Sequence, residues 1–135
     1  MLWRYIILLT LLIHLASCAV RNITVIGVVE CNHRPVSGAV VDLMDHHLLS
    51  NKKLASVNTD ARGRFYLYGE EKRFRALQPY LLVKHHCDQG ITNQRCDITD
   101  RYDITGNQEG KTVDMKTLNL DLGKKGQKKD CKKRH

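Results

Sequence analysis

The chain has 135 residues, with 22 Lys and Arg against 14 Asp and Glu, and five cysteines. That length supports a single domain with one modest core, and the 42% hydrophobic content is enough to pack it, which excludes full disorder. The formal charge of +8 invites a nucleic-acid or membrane-surface reading until its distribution along the chain is resolved.

Residues 1–19 read as a leader rather than as part of a fold. Arg4 supplies a positive start, Ile6 to Leu15 is an apolar run broken only by Thr10 and His14, and Ser17-Cys18-Ala19 places small residues around a cleavage site. This is the layout of a secretory signal peptide. The run is short of the ~20 residues that a spanning helix needs. Two alternatives are an uncleaved N-terminal anchor and a bacterial lipoprotein signal at Leu15-Ala16-Ser17-Cys18. Cleavage after Ala19 removes Cys18 and leaves Cys31, Cys87, Cys96 and Cys131. An even set of cysteines in a small exported chain implies disulfides. Four cysteines allow three connectivities; one pairs the near neighbours Cys87 and Cys96 and leaves Cys31 for Cys131. Asn22-Ile23-Thr24 is an N-glycosylation sequon just past the expected cleavage point, with Asn22 as the acceptor.

The extended segments follow in chain order. Residues 23–31 are rich in β-branched side chains and place Ile23, Val25, Val29 and Cys31 on one face. A turn at residues 32–35 leads to a second strand with Ala39, Val41 and Leu43 inward. Residues 46–53 read as a polar loop and residues 54–58 as a short strand. Asp60-Ala61-Arg62-Gly63 is the clearest turn signal, and it feeds a strand in which Phe65 and Leu67 alternate with Tyr66 and Tyr68. Residues 70–77 read as either a helical turn or a loop. Pro79 opens another strand, where a missing donor is tolerated. An edge strand is expected near residues 97–104. In residues 112–122, Leu118, Leu120 and Leu122 mark the last inward face. Short strands at this spacing indicate an all-β protein, an antiparallel β-sandwich of about seven strands.

The charge is concentrated at the C-terminus. Residues 20–123 carry fourteen basic and thirteen acidic side chains, a net of +1. Residues 124–135 hold Lys124, Lys125, Lys128, Lys129, Lys132, Lys133 and Arg134 against Asp130, a net of +6. A like-charge block of this density reads as a solvated, mobile tail, able to contact an anionic lipid, a sulfated glycan or an acidic protein. Nucleic acid is disfavoured as a partner by export and by the lack of interleaved aromatics for stacking.

The order of the motifs carries a resemblance. Val25 to Cys31, Pro35-Val36-Ser37-Gly38-Ala39-Val40-Val41-Asp42-Leu43, Thr59-Asp60-Ala61-Arg62-Gly63-Arg64-Phe65, the strand from Pro79 into His86-Cys87-Asp88, Thr117-Leu118-Asn119-Leu120 and Asp130-Cys131 together resemble the nematode transthyretin-like family. Between residues 97 and 110 the chain departs from that family's pattern. The resemblance implies a secreted transthyretin-like sandwich of animal origin, with a signal peptide over residues 1–19, the domain over 20–123 and a basic tail over 124–135.

No catalytic, cofactor or metal site is expected. His46-His47 and His85-His86 are adjacent pairs, whose members point to opposite faces of a strand, and zinc-type ligand spacing is absent. His86 next to Cys87 could form a thiol–imidazole pair only if Cys87 were unbridged. Hydroxyisourate hydrolases resemble this fold and end in Tyr-Arg-Gly-Ser, whereas this chain ends Lys132-Lys133-Arg134-His135. The reading is therefore a secreted, non-enzymatic binding or signalling protein, with a small hydrolase of that type as the alternative.

Overall fold

The alternation that begins at Ile23 organises the whole molecule. In the computed structural model, which describes residues 1–17 and 19–133, that strand is β1 (Ala19–Cys31), and Ile23, Val25, Val29 and Cys31 are all buried. It is preceded by α1 (Leu2–Ser17), whose described side chains are exposed on every side. No described helix is long and apolar enough to cross a membrane.

β1 is the hub of one sheet. It pairs antiparallel with β5 (Arg64–Arg73) from Ala19 to Val28, antiparallel with the two-residue β2 (Arg34–Pro35), and parallel with β10 (Thr112–Asn119). The second sheet has the order β11-β9-β6-β3-β4, all antiparallel. Its members are β3 (Val40–His46), β4 (Asn51–Asn58), β6 (Pro79–His85), β9 (Cys96–Asp103) and β11 (Lys128–Cys131). A two-residue hairpin of β7 (Cys87–Asp88) and β8 (Ile91–Thr92) links β6 to β9. Among the described residues, seven strands are seven residues or longer. The architecture is the all-β sandwich expected from the periodicity.

The core lies between the two sheets. Val25, Val29, Phe65, Leu67 and Leu118 from the first meet Val41, Leu43, Leu81 and Val83 from the second. Each such side chain, once buried, stabilises by about 1.5–3 kcal/mol. Gly27 sits opposite Phe65 in the β1–β5 ladder, and a Cβ there would come within 2.7 Å of the ring. The aromatic ring therefore covers the bare stretch of strand that glycine leaves.

The turn at residues 60–63 behaves as its residues require. Asp60 Oδ1 accepts the amides of Arg62 and Arg64 at 2.9 and 2.8 Å, and the Gly63 amide donates to the Asp60 carbonyl at 2.9 Å. Gly63 has φ of +74°, and a Cβ would lie 2.5 Å from the Val29 carbonyl oxygen. Gly38 has φ of +79° but open space around it. Gly63→Ala is thus expected to lose about 2–3 kcal/mol from backbone strain and displacement of β1 together, and Gly38→Ala only about 1 kcal/mol from strain. Urea unfolding of the two variants checks this; equal losses would refute the crowding at Val29.

Five expectations are corrected. Residues 70–73, read as helix or loop, continue β5, because Glu71 keeps the inward phase of Phe65 and Leu67. Residues 51–53, read as loop, begin β4 by pairing with β3. β9 is not an edge strand, since β6 and β11 flank it. Finally, the segment assigned to a free tail is part of the sheet: residues 128–131 pair with residues 96–99, so the fold runs to Cys131 rather than stopping at residue 123. Leu122, expected inward, is 67% exposed because β10 ends at Asn119.

Candidate functional site

The basic segment is held in place by its neighbours. β11 lies against β9, and Cys131 is bonded to Cys96, directly opposite it in register. The amide of Lys132 donates to the Arg95 carbonyl at 2.8 Å. Just before β11, the Gln127 side-chain amide donates to Asp100 Oδ1 at 2.5 Å. The charges of residues 128–132 are therefore displayed on a sheet edge, with Lys124 and Lys125 in the turn that leads into it.

Two of the lysines are occupied. Lys129 Nζ pairs with Asp88 Oδ1 at 2.6 Å, and Lys124 Nζ sits 4.2 Å from the centroid of the Tyr102 ring. Lys125, Lys128, Lys132 and Lys133 are exposed and have no ion-pair partner among the described residues. Asp130 lies among them, paired in register with Asp97. Arg134 and His135 lie outside the described residues.

The disulfides do not follow the pairing of near neighbours. Cys87 bonds to Cys31, joining the end of β1 to the segment after β6, and Cys96 bonds to Cys131. The reason is local: the β6–β9 ladder stops at the His85–Ile98 pair, and Cys87 is turned into the core, where the end of β1 arrives. Since Cys87 is bridged, His86 has no thiol beside it. Its Nδ1 instead lies 2.8 Å from the Cys96 carbonyl oxygen.

His46, His47 and His85 also have side-chain partners. His46 Nδ1 contacts Asn51 Oδ1 at 2.9 Å, and His33 sits exposed in the turn after β1 with φ of 60°. His85 is buried. Its Nε2 lies 2.8 Å from Asp100 Oδ2, and its Nδ1 accepts the Cys87 amide at 2.9 Å. These bonds assign the proton to Nε2, which donates to Asp100. Asp100 thus has a neutral imidazole on one oxygen and the Gln127 amide on the other. His47 Nε2 lies 3.1 Å from Asp45 Oδ2 and 3.1 Å from Glu71 Oε1.

On the outer face of the second sheet, Asp42 is nearly enclosed. Burial acts to raise its carboxyl, but a bond from the Ser56 hydroxyl at 2.6 Å, Lys84 at 3.2 Å and Lys53 at 3.5 Å hold it below the usual carboxylate value. Asn22, the sequon acceptor, is half-buried in β1 opposite Glu70. A cleft of about 310 Å³ at the Cys31–Cys87 end is lined by Ser37, Lys84, His86, Thr92, Asp97 and Thr99 among others. Its walls offer both charge signs and no bridging-free thiol.

Sequence reasoning missed the Asp45, His47 and Glu71 grouping and the Asp100 network. The signal for both was present: in each case a carboxylate occupies an inward position of an otherwise apolar alternation, Val41-x-Leu43-x-Asp45 and Ile98-x-Asp100-x-Tyr102.

Comparison with known proteins agrees with this frame. The family model described as TTR-52, Transthyretin-like family, matches residues 26–105, from within β1 through β9. Transthyretin-like protein 16 of Caenorhabditis elegans is 36% identical over 124 residues, spanning 87% of this chain and 92% of its own length. Transthyretin-like protein 2 of the same organism is 32% identical over 116 residues and 78% of each chain. A solved 9R-lipoxygenase from Cyanothece aligns at 16% identity with a TM-score of 0.45, over 76% of this chain and 16% of its own, which is too distant to bear on function. With the motif order, the sandwich and these relatives in agreement, the chain belongs to the transthyretin-like family.

Proposed function

We propose that the protein is a secreted, non-enzymatic binding or signalling protein that contacts anionic surfaces through its C-terminal basic edge. The observation that carries this reading is the exposure of Lys128 on β11 and of Lys125, Lys132 and Lys133 on the residues flanking it, none with an ion-pair partner among the described residues, in a segment fixed by the Cys96–Cys131 disulfide. A fixed array meets an anionic surface with less ordering cost than a mobile tail of equal charge. The leader over residues 1–19 and the two disulfides support export through an oxidising pathway. On that route Asn22 is a glycan acceptor. The partners that fit are acidic lipid headgroups, sulfated glycans or an acidic protein.

Removing residues 124–135 outright would also remove Cys131 and Gln127, so charge reversal is the cleaner test. Changing Lys125, Lys128, Lys132 and Lys133 together to Glu is expected to weaken binding to phosphatidylserine vesicles or heparin by about 100-fold or more at low salt, given about 1 kcal/mol per basic residue. The difference should shrink as salt is raised. Equal binding by the two proteins would overturn the reading.

A further inference from the structure

At the other end of the second sheet, the inward rows of two facing strands finish in acid. On β3 the row is Val41, Leu43, Asp45 and, just beyond the strand, His47; on β5 it is Phe65, Leu67, Gly69 and Glu71. Alternation brings these row ends together across the sandwich. The Asp45 side chain is fully buried and that of Glu71 is 6% exposed, while His47 is 32% exposed and open to solvent. Two carboxylates this enclosed repel one another unless a proton or cation lies between them. The fixed cations are unequally shared: Arg73 bonds Asp45 directly, whereas Glu71 has only Lys52 and His47 within 4 Å among the described residues. Arg73 holds Asp45 Oδ2 from one side, the Gln78 amide donates to Asp45 Oδ1 at 2.8 Å, and the half-exposed Lys52 is 3.6 Å from Glu71.

We propose that Asp45, His47 and Glu71 form a zinc-binding site that ties the loop at residues 47–50 to β5. The His47 Nε2 is 3.1 Å from an oxygen of each acid, and the three donor atoms lie within 4.8 Å of one another. Donors held by a tetrahedral zinc at ~2.0–2.1 Å stand about 3.3–3.4 Å apart, so small shifts seat the ion. The imidazole selects zinc over calcium or magnesium, which take oxygen donors. Arg73 and the Gln78 amide orient the Asp45 carboxylate from the outer shell, as such partners do in metal sites. Water from the His47 side completes the coordination. The ion would pin a loop that presents Leu48 and Leu49, 85% and 100% exposed, in one geometry.

Isothermal titration of the untagged full chain with zinc chloride should show one site per chain, with a rise in melting temperature that calcium and magnesium do not reproduce. His47→Ala and Glu71→Gln should each weaken that site by about 100-fold or more, beyond the effect of losing an outer-shell partner. His46→Ala and His86→Ala should bind as the unmodified chain does, and cobalt in place of zinc should show visible d–d bands that His47→Ala abolishes. Failure to bind zinc, retention of the site in a folded His47→Ala protein, or equally tight calcium binding would overturn the assignment.

Discussion

Asp100→Ala should lower stability by about 2–6 kcal/mol, the cost of leaving two enclosed donors without their acceptor. The carboxylate is wholly enclosed and is the acceptor for His85 Nε2 at 2.8 Å and for the Gln127 amide at 2.5 Å. Without it, both donors are stranded, each with a desolvation cost of about 1–3 kcal/mol. Asp100→Asn should lose less than half as much. Its amide oxygen can accept from His85, and a rotated Gln127 can accept from its NH₂. Urea unfolding distinguishes the three proteins. An alanine variant within about 1 kcal/mol of the parent would show that the network does not hold the fold. The effect reaches the basic edge as well, because Gln127 leads directly into β11.

The second large effect concerns Cys31 and Cys87. Changing both to Ser is expected to cost about 4 kcal/mol, from the loop entropy released by cutting a crosslink of this span; the bridge spans 56 residues. Against the 5–15 kcal/mol that ordinarily holds a domain together, this approaches unfolding. The bridge is also the covalent link between β1 and the segment that closes the cleft at that end. Changing Cys96 and Cys131 should cost a similar amount, over a span of 35 residues, and should in addition free β11 from β9. Non-reducing peptide mapping decides the pairing itself: fragments linking 31 to 87 and 96 to 131 are expected, and a fragment linking 87 to 96 would refute both values.

Where the code is local, the residues were readable in advance. Ile23, Val25 and Val29, then Val41 and Leu43, then Phe65 and Leu67 recur at odd positions of their strands, and each is buried as the period of two demands. The Asp60–Gly63 turn was equally plain, because Asp bonds its own backbone and Gly supplies positive φ. Less legible were strands whose inward row is interrupted. Glu71 at an inward position hid the end of β5, and Asp100 hid an interior strand within a stretch that looked like an edge. Both carboxylates break the apolar signal because they serve a polar contact that exists only across strands distant in sequence.

The basic segment shows the same division. Composition alone established that six units of net positive charge lie in the last twelve residues while residues 20–123 are nearly neutral, and that four cysteines lie beyond residue 19. It could not say that the charge sits on a strand, since a like-charged run has no hydrophobic period to declare one. That was decided by two contacts, the Cys96–Cys131 bond and the Gln127 amide on Asp100, each joining residues at least 27 apart in the chain. Charge is a property of the residues themselves and is read directly; its placement depends on pairings between remote segments, and only the packed sandwich makes those.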